Sequence, residues 1–406
     1  YSRAYFYQRV RLQPVFAIAE GLTFTARMDA LEKQWGNTNW KGGFAEGTSS
    51  RGSSGGQTCT TNLVTGVVTC ISTAKAQENF EFERAYVTFK TAIGQFDVGY
   101  QAAGAWGTAF ADSGTTKPRI KFATKAGPAI LLGIYEKNFE ADTSATAGYA
   151  GKADADADNY FLAAVYGFKG GNAGLLYGYI VNNSNRPAAA GSFRTRLHLL
   201  TPYLKATFGP VYVEAEMAYW GGNQMEFDNV AGATDLKRDG YSAYAFLKTN
   251  LGPAYFGAQV GWSAGNDPST ADKNEAGGGG GADWNPALIL MNDDMATWAG
   301  GVGTNVANSG KGNILLYNVF GGFNPTPKLN LEVAFTSASA DKAPTGYVSK
   351  NYGMELDAKA SYKIYDNLTY MVGAGYLWTG DYFKGTNSAN LIGNDYILMN
   401  KLSLSF

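Results

Sequence analysis

The polar and apolar positions of this chain alternate in short runs from one end to the other. Leu22, Phe24, Ala26, Met28 and Ala30 interleave with Thr23, Thr25, Arg27 and Asp29. Val211, Val213, Ala215, Met217 and Tyr219 likewise oppose Tyr212, Glu214 and Glu216, and Met354, Leu356, Ala358, Ala360 and Tyr362 oppose Glu355, Asp357, Lys359, Ser361 and Lys363. A period of two sets the two groups on opposite faces of a strand. Pairs of such runs flank tight turns at Glu20-Gly21, Ile93-Gly94, Gly127-Pro128, Gly170-Gly171-Asn172, Gly209-Pro210, Gly252-Pro253, Asn324 to Pro327 and Asp366-Asn367. Gly, Pro, Asn and Asp supply the dihedral angles that such turns need. The other connections are long: about 36–79, 101–117, 140–157, 185–192, 222–239, 265–312, 341–351 and 381–394.

Short turns at one end and long loops at the other are the asymmetry of a transmembrane antiparallel β-barrel. The predicted fold is all-β, a single barrel domain over 1–406 with outer loops at about 36–79, 101–117, 140–157, 222–239 and 265–312. Seventeen strands are readable. A bacterial barrel takes an even number, so the expectation is 18, with a first strand upstream of Tyr1; 16 is the alternative. No run of 18 apolar residues is present, so no spanning helix is expected, but a barrel needs none. Tyr5, Phe6, Tyr7, Tyr100, Trp220, Trp262, Tyr376, Trp378, Tyr382, Phe383 and Tyr396 cluster near strand ends, as interfacial girdles would. The chain closes on an amphipathic run with Leu398, Leu402, Leu404 and Phe406 on one face.

Composition narrows the function classes. Charged residues are 17% and the 33 Lys+Arg nearly balance 34 Asp+Glu, so the basic stripe of a nucleic-acid binder is not expected. With 45% hydrophobic residues the chain is not a disordered one.

The segments Tyr5-Phe-Tyr-Gln-Arg-Val-Arg-Leu12 and Leu22-Thr-Phe-Thr-Ala-Arg-Met-Asp29, with the terminal Leu402-Ser-Leu-Ser-Phe406, resemble those of trimeric porins of Gram-negative outer membranes, most of all the porins of metal- and sulfate-reducing bacteria. The resemblance is architectural and covers the whole chain. It implies passive diffusion of small hydrophilic solutes and ions, a homotrimer, contact with the lipid bilayer and lipopolysaccharide, and no enzymatic activity. It also implies that a third outer loop folds inward and narrows the pore. With one strand upstream that loop is 101–117, whose one acid is Asp112.

Alternation assigns the pore-lining charges. The basic set is Arg9, Arg11, Arg27, Arg84, Lys90, Arg119, Lys121, Lys125, Arg194, Arg196, Lys248, Lys359, Lys363 and Lys401; the acidic set is Asp29, Asp97, Glu214, Glu216, Glu332, Glu355 and Asp357. The cations crowd the early strands, which points to an anion-leaning channel with a transverse field. The bland alternative is a wall of charges that pair with their neighbours.

Smaller features add less. Cys59 and Cys70 share a polar loop, and a disulfide in an oxidising compartment is expected. Asp154, Asp156 and Asp158 can converge on calcium or bridge a divalent ion to lipopolysaccharide, although Asn159 and Val165 stand where an EF-hand needs Gly and Glu; a solvated acidic loop is the alternative. No other cofactor is expected. Gly277 to Gly281 reads as a flexible loop, and the segment Pro286 to Ala299 as a short helix or plug at the mouth. His198 is the sole histidine and reads as a lumen or interface residue. The rival functions are a barrel sheath or scaffold for a partner such as a cytochrome, an adhesin, and a membrane-embedded hydrolase built on His198.

Overall fold

The computed structural model describes residues 6–35, 57–61, 68–72, 80–140, 155–185, 191–228, 232–278, 280–292 and 312–406. The strands are β1 (Tyr7–Leu12), β2 (Val15–Ala19), β3 (Leu22–Gln34), β4 (Gln57–Thr61), β5 (Val68–Ser72), β6 (Phe80–Thr91), β7 (Gly94–Ala103), β8 (Thr115–Ala126), β9 (Ala129–Phe139), β10 (Ala157–Phe168), β11 (Gly171–Asn182), β12 (Phe193–Phe208), β13 (Val211–Phe227), β14 (Leu236–Leu251), β15 (Ala254–Ser263), β16 (Lys273–Asn274), β17 (Ile314–Thr326), β18 (Leu329–Ser339), β19 (Asn351–Tyr365), β20 (Leu368–Thr379) and β21 (Asp395–Leu404).

Nineteen of these strands form one sheet. β1 and β2 both pair with β3 and are two halves of one wall strand, and β16 is a two-residue strand in a loop, so seventeen strands cross the wall among the described residues. Gln13-Pro14 makes the break: proline has no N–H to give to the ladder, and its carbonyl accepts from Ala26 N–H at 3.1 Å instead. Each wall strand pairs antiparallel with the next in the chain, from β3 with β6 to β20 with β21. The first and last wall strands therefore run the same way, and antiparallel closure takes an even count. Glycines with positive φ, such as Gly209 (58°) and Gly252 (61°), occupy two of the tight turns.

The two faces of the wall differ as a barrel requires. Large apolar side chains stand exposed on the outer face, among them Leu162 (66%) and Leu398 (77%). The buried core is inside. It comprises Phe110, Tyr244, Trp284, Ala287, Ile289, Leu290, Met291, Ile314, Leu316, Ala338, Ala340, Tyr352, Leu377 and Tyr382. Several of these belong to connections rather than to strands, so the chain builds its core by folding two loops into the barrel.

A separate hairpin joins β4 to β5, and its register sets Cys59 directly opposite Cys70.

Candidate pore constriction and its charged wall

The connection between β7 and β8 crosses the interior to β12, β13 and β14. Its anchor is Glu216, which lies on the inner face of β13 and is buried. Thr108 donates to this carboxylate twice, from its backbone N–H (2.7 Å) and from Oγ1 (2.6 Å), and Thr201 Oγ1 donates at 3.2 Å. Gly107 takes φ +64°, and a Cβ there would stand 2.4 Å from Glu216 Oε1, so the approach needs glycine. Trp106 Nε1 donates to the Thr201 carbonyl at 3.0 Å, and its ring meets Tyr203 edge-on at 5.2 Å. Phe110 stacks on Tyr244, with ring centroids 5.1 Å apart.

A second inward segment, 280–292, lies against the first. Gly281 N–H donates to the Phe110 carbonyl (2.5 Å) and Asp283 N–H to the Asp112 carbonyl (3.0 Å). Trp284 packs edge-on against Phe110 at 5.0 Å and donates from Nε1 to Gln259 on β15 (2.9 Å). On the far side of the barrel the backbone N–H groups of Leu288, Ile289 and Leu290 all donate to Glu355 of β19, at 2.9, 2.7 and 2.7 Å. Leu288 N–H is shared with Asp357 (3.2 Å), and Asn318 Nδ2 donates to the Pro286 carbonyl at 3.2 Å. Glu355 is 0% exposed. A buried carboxylate is costly unless its oxygens are satisfied, and three aligned backbone donors do this while fixing the segment.

Where the two segments touch, they bring together two acids. Asp112 Oδ1 accepts from Gly114 N–H at 3.0 Å. Burial pushes the Asp112 carboxyl above the usual carboxylate range, and the neighbouring Asp283 carboxylate adds to the shift. Asp283 itself is exposed.

The basic wall lies on the early strands. Arg9 and Arg11 of β1 both face Asp29 of β3, at 3.7 and 2.6 Å, and Arg11 also reaches Glu83 at 3.0 Å. Arg27 shares Glu83 at 3.7 Å and donates from Nε to Gln13 at 2.8 Å. Arg27 stands opposite Arg84 of β6 in the ladder. Lys121 pairs with Asp97 at 2.6 Å, and Thr88 Oγ1 and Gln95 Nε2 also donate to that carboxylate. Arg119 is paired with Glu136 and donates to the Ala102 carbonyl at 2.6 Å. Lys117 and Lys125 continue the same face of β8. Lys90 lies beside the turn, where its N–H donates to Gly21 at 2.9 Å. Across the barrel, Glu214 accepts from Tyr212 Oη at 2.7 Å and Lys359 pairs with Glu332 at 2.6 Å.

Other residues lie where sequence reasoning did not put them. Arg194 and Arg196 are on the outer face, not in the lumen: Thr201 and Tyr203, which meet the inward loop, have the opposite parity on β12. Both arginines hold Glu226, which faces outward beyond a register shift in β13. Outward positions beyond the apolar band of a barrel tolerate charge, so a charged residue near a strand end does not reveal its face. His198 is on the same outer face, with Nδ1 2.8 Å from Tyr177 Oη. Asp156 and Asp158 meet Lys137, Asp158 at 3.5 Å, so an ammonium stands where a metal would; Asp154 lies outside the described residues.

Four lumen acids escaped the sequence reading: Glu81, Glu83, Glu136 and Asp283. Glu83 and Arg84 are adjacent, yet both belong to the basic wall, because the β3–β6 register shifts between Arg27 and Met28. A bulge breaks the period of two, and alternation does not foresee it. Asp283 sits in a loop, where no periodicity speaks.

No family model matches the chain, and no curated protein does. Solved structures do share the fold. OccAB2 of Acinetobacter baumannii superposes at a TM-score of 0.52 with 12% identity, over 98% of this chain and 91% of that one. A BenF-like porin from Pseudomonas fluorescens Pf-5 gives 0.50 and 12%, over 99% and 92%. OpdK of Pseudomonas aeruginosa, solved with vanillate, gives 0.50 and 12%, over 98% and 92%. At such identities the likeness is one of fold, the all-β porin barrel.

Proposed function

We propose that this chain is an outer-membrane porin of a Gram-negative bacterium, a water-filled channel for passive diffusion of small hydrophilic solutes and ions, with a leaning towards anions. The observation that carries this reading is the division of the interior. Two inward segments fill one side with an apolar core and meet at 101–117, the proposed constriction. The side left to water is lined by Arg9, Arg11, Arg27, Arg84, Lys90, Lys117, Arg119, Lys121 and Lys125, which outnumber the acids among them, Asp29, Glu81, Glu83, Asp97 and Glu136. Asp112 and Asp283 sit where the two inward segments meet, with Lys205 of β12 near Asp112, and we take this acidic edge to face that wall. A cationic wall opposite an anionic edge in a narrow aqueous passage orients dipolar solutes and raises the local anion concentration.

The division also speaks against the rival readings. A sheath for a cytochrome needs a lumen wide enough for protein, and the chain's own loops occupy this one. A hydrolase built on His198 would need its imidazole in a cleft, whereas the ring lies on the outer wall against Tyr177 and Tyr179. For the acidic loop at Asp154, Asp156 and Asp158 we propose an ion-paired rim rather than a calcium site, since the Lys137 ammonium already sits between Asp156, Asp158 and Glu140. The remaining assignments are a homotrimer, a Cys59–Cys70 disulfide, and contact with the bilayer and lipopolysaccharide.

The test is planar-bilayer conductance of the purified protein, with the reversal potential read under a salt gradient. Conductance in steps of three with chloride favoured supports the reading. Cation preference overturns the anionic leaning and leaves the channel. Silence across a range of voltages overturns the channel and returns the sheath to first place.

A further inference from the structure

The inner wall from β13 to β19 carries a patch of rings that the constriction does not use. Tyr212 shares the face of Glu214 and Glu216 on β13. Phe246 is opposite Glu214, and Phe320 is opposite Gly257, which is itself opposite Lys248. Phe246 and Phe320 lie at 23° to each other with centroids 5.7 Å apart. Tyr212 meets Phe246, and Tyr255 meets Phe320, each at 6.3 Å. We propose that these rings form a binding platform for a neutral pyranose sugar inside the pore. The proposal rests on the reading of the barrel as an open channel.

Place is the first argument. A strand that rises ~3.3 Å per residue and tilts about 40° climbs ~2.5 Å per residue. The rings then span from ~5 Å to ~15 Å above the tight turns, in the half of the lumen on the turn side. Phe246 packs against the core that the inward segments build, so the patch lies directly beneath them. Tyr212, Phe246 and Phe320 are only half-buried. An apolar face left in a watery passage costs hydration until something covers it.

Shape is the second. A Cβ on Gly257 would meet Phe320 Cζ at 2.1 Å, and one on Gly322 would meet Tyr255 Cζ at 2.1 Å. Each ring therefore lies across a glycine of the neighbouring strand instead of reaching into the pore. Phe320 leaves the passage open and turns a face towards it. A flat ring face takes another flat apolar face, and a pyranose offers one in its axial C–H groups.

The polar rim is the third. Tyr212 Oη donates to Glu214 Oε1 at 2.7 Å, and Glu214 Oε2 makes no hydrogen bond among the described residues. Lys248 Nζ stands 4.2 Å from the Tyr255 centroid and makes no ion pair among the described residues. A carboxylate oxygen accepts and an ammonium donates, so the rings carry an open acceptor and an open donor at their edge, as neighbouring sugar hydroxyls require. The charges offset one another. Glu332 takes Lys359 at 2.6 Å and Tyr255 Oη at 2.8 Å, Lys205 lies near Glu216 and Asp112, and Lys363 stands lower, towards the turn. Four lysines and four carboxylates give this patch no preference for an anion.

The experiment uses the full chain in detergent, with cellobiose, sorbitol and benzoate as probes and saturation-transfer NMR titration as the readout. Sorbitol has the hydroxyls without a ring face, and benzoate has a ring face with a charge and no hydroxyls. Wild-type protein is expected to bind cellobiose at least tenfold more tightly than either. Phe246→Leu with Phe320→Leu keeps the patch apolar but removes the flat faces, and should lower cellobiose binding about tenfold; Phe320→Tyr should retain most of it. Gly257→Val, which lifts Phe320 off the wall, should weaken binding without removing a ring or a charge. Unchanged heat-modifiable mobility on gels confirms that each variant is folded. Sorbitol bound as tightly as cellobiose overturns the proposal, and so does full cellobiose binding by the double Leu variant. Benzoate bound more tightly than cellobiose also overturns it, since the patch would then serve aromatic anions. Conductance of the same preparations separates the two readings: a protein that conducts but ignores cellobiose loses the platform and keeps the channel, and one that binds cellobiose but never conducts keeps the platform and loses the channel.

Discussion

Glu355 holds an inward segment with one side chain. Its carboxylate accepts three consecutive backbone N–H groups, and replacing it strands those donors in a buried place at about 1–3 kcal/mol each. Glu355→Ala should therefore release 286–292, and single-channel recordings should show larger, noisier conductance; an unchanged trace would mean that the segment is held elsewhere. Asp112 permits a second prediction. Its carboxyl is raised by burial and by Asp283, so its negative charge is present above that raised value and is lost as pH falls through it, earlier than for an ordinary carboxylate. Anion preference should grow on mild acidification, and Asp112→Asn should remove that mildly acidic step from the reversal potential. Glu355, Asp357 and Asp112 were all legible as charged positions. That two of them grip a loop was not, because hydrogen bonds to a distant backbone leave no trace in local pattern.

Loops and strands obey different constraints, and the predictions about them differ accordingly. The two inward segments touch where a Cβ on Gly281 would lie 2.0 Å from the Asp112 carbonyl. Gly281→Val should force them apart and raise the conductance without loss of the barrel, judged by unchanged heat-modifiable mobility on gels. The hairpin of β4 and β5 sets Cys59 against Cys70 in register, as a cross-strand disulfide requires. Thiol titration of the unfolded, unreduced protein should find no reactive thiol, and two after reduction. Strand positions were readable because a face against lipid and a face against water impose a period of two on every crossing. The period failed where a bulge put Glu83 beside Arg84 in one wall; it held at Arg194 and Arg196, where a charge beyond the apolar band did not mark the inner face.

The barrel as a unit distributes its charge asymmetrically although the chain is almost neutral, at −1. Its field depends on which side of the lumen stays open. Arg27→Glu together with Lys121→Glu reverses two cations on the open side, and the reversal potential should move towards potassium preference. If it does not move, ions pass along another wall.

The strands, their turns, the inner and outer sets of most side chains and the crowding of cations on the early strands followed from the sequence alone, since alternation and turn chemistry act between near neighbours. The loop 101–117 was already legible in the sequence as the candidate constriction; the meeting of Asp112 with Asp283, the grip of Glu216 and Glu355 on the loops, and the outward placing of His198 came only from the folded chain. Each depends on residues far apart in sequence that closure of the wall brings across a lumen or around a bulge, and no local period encodes those distances.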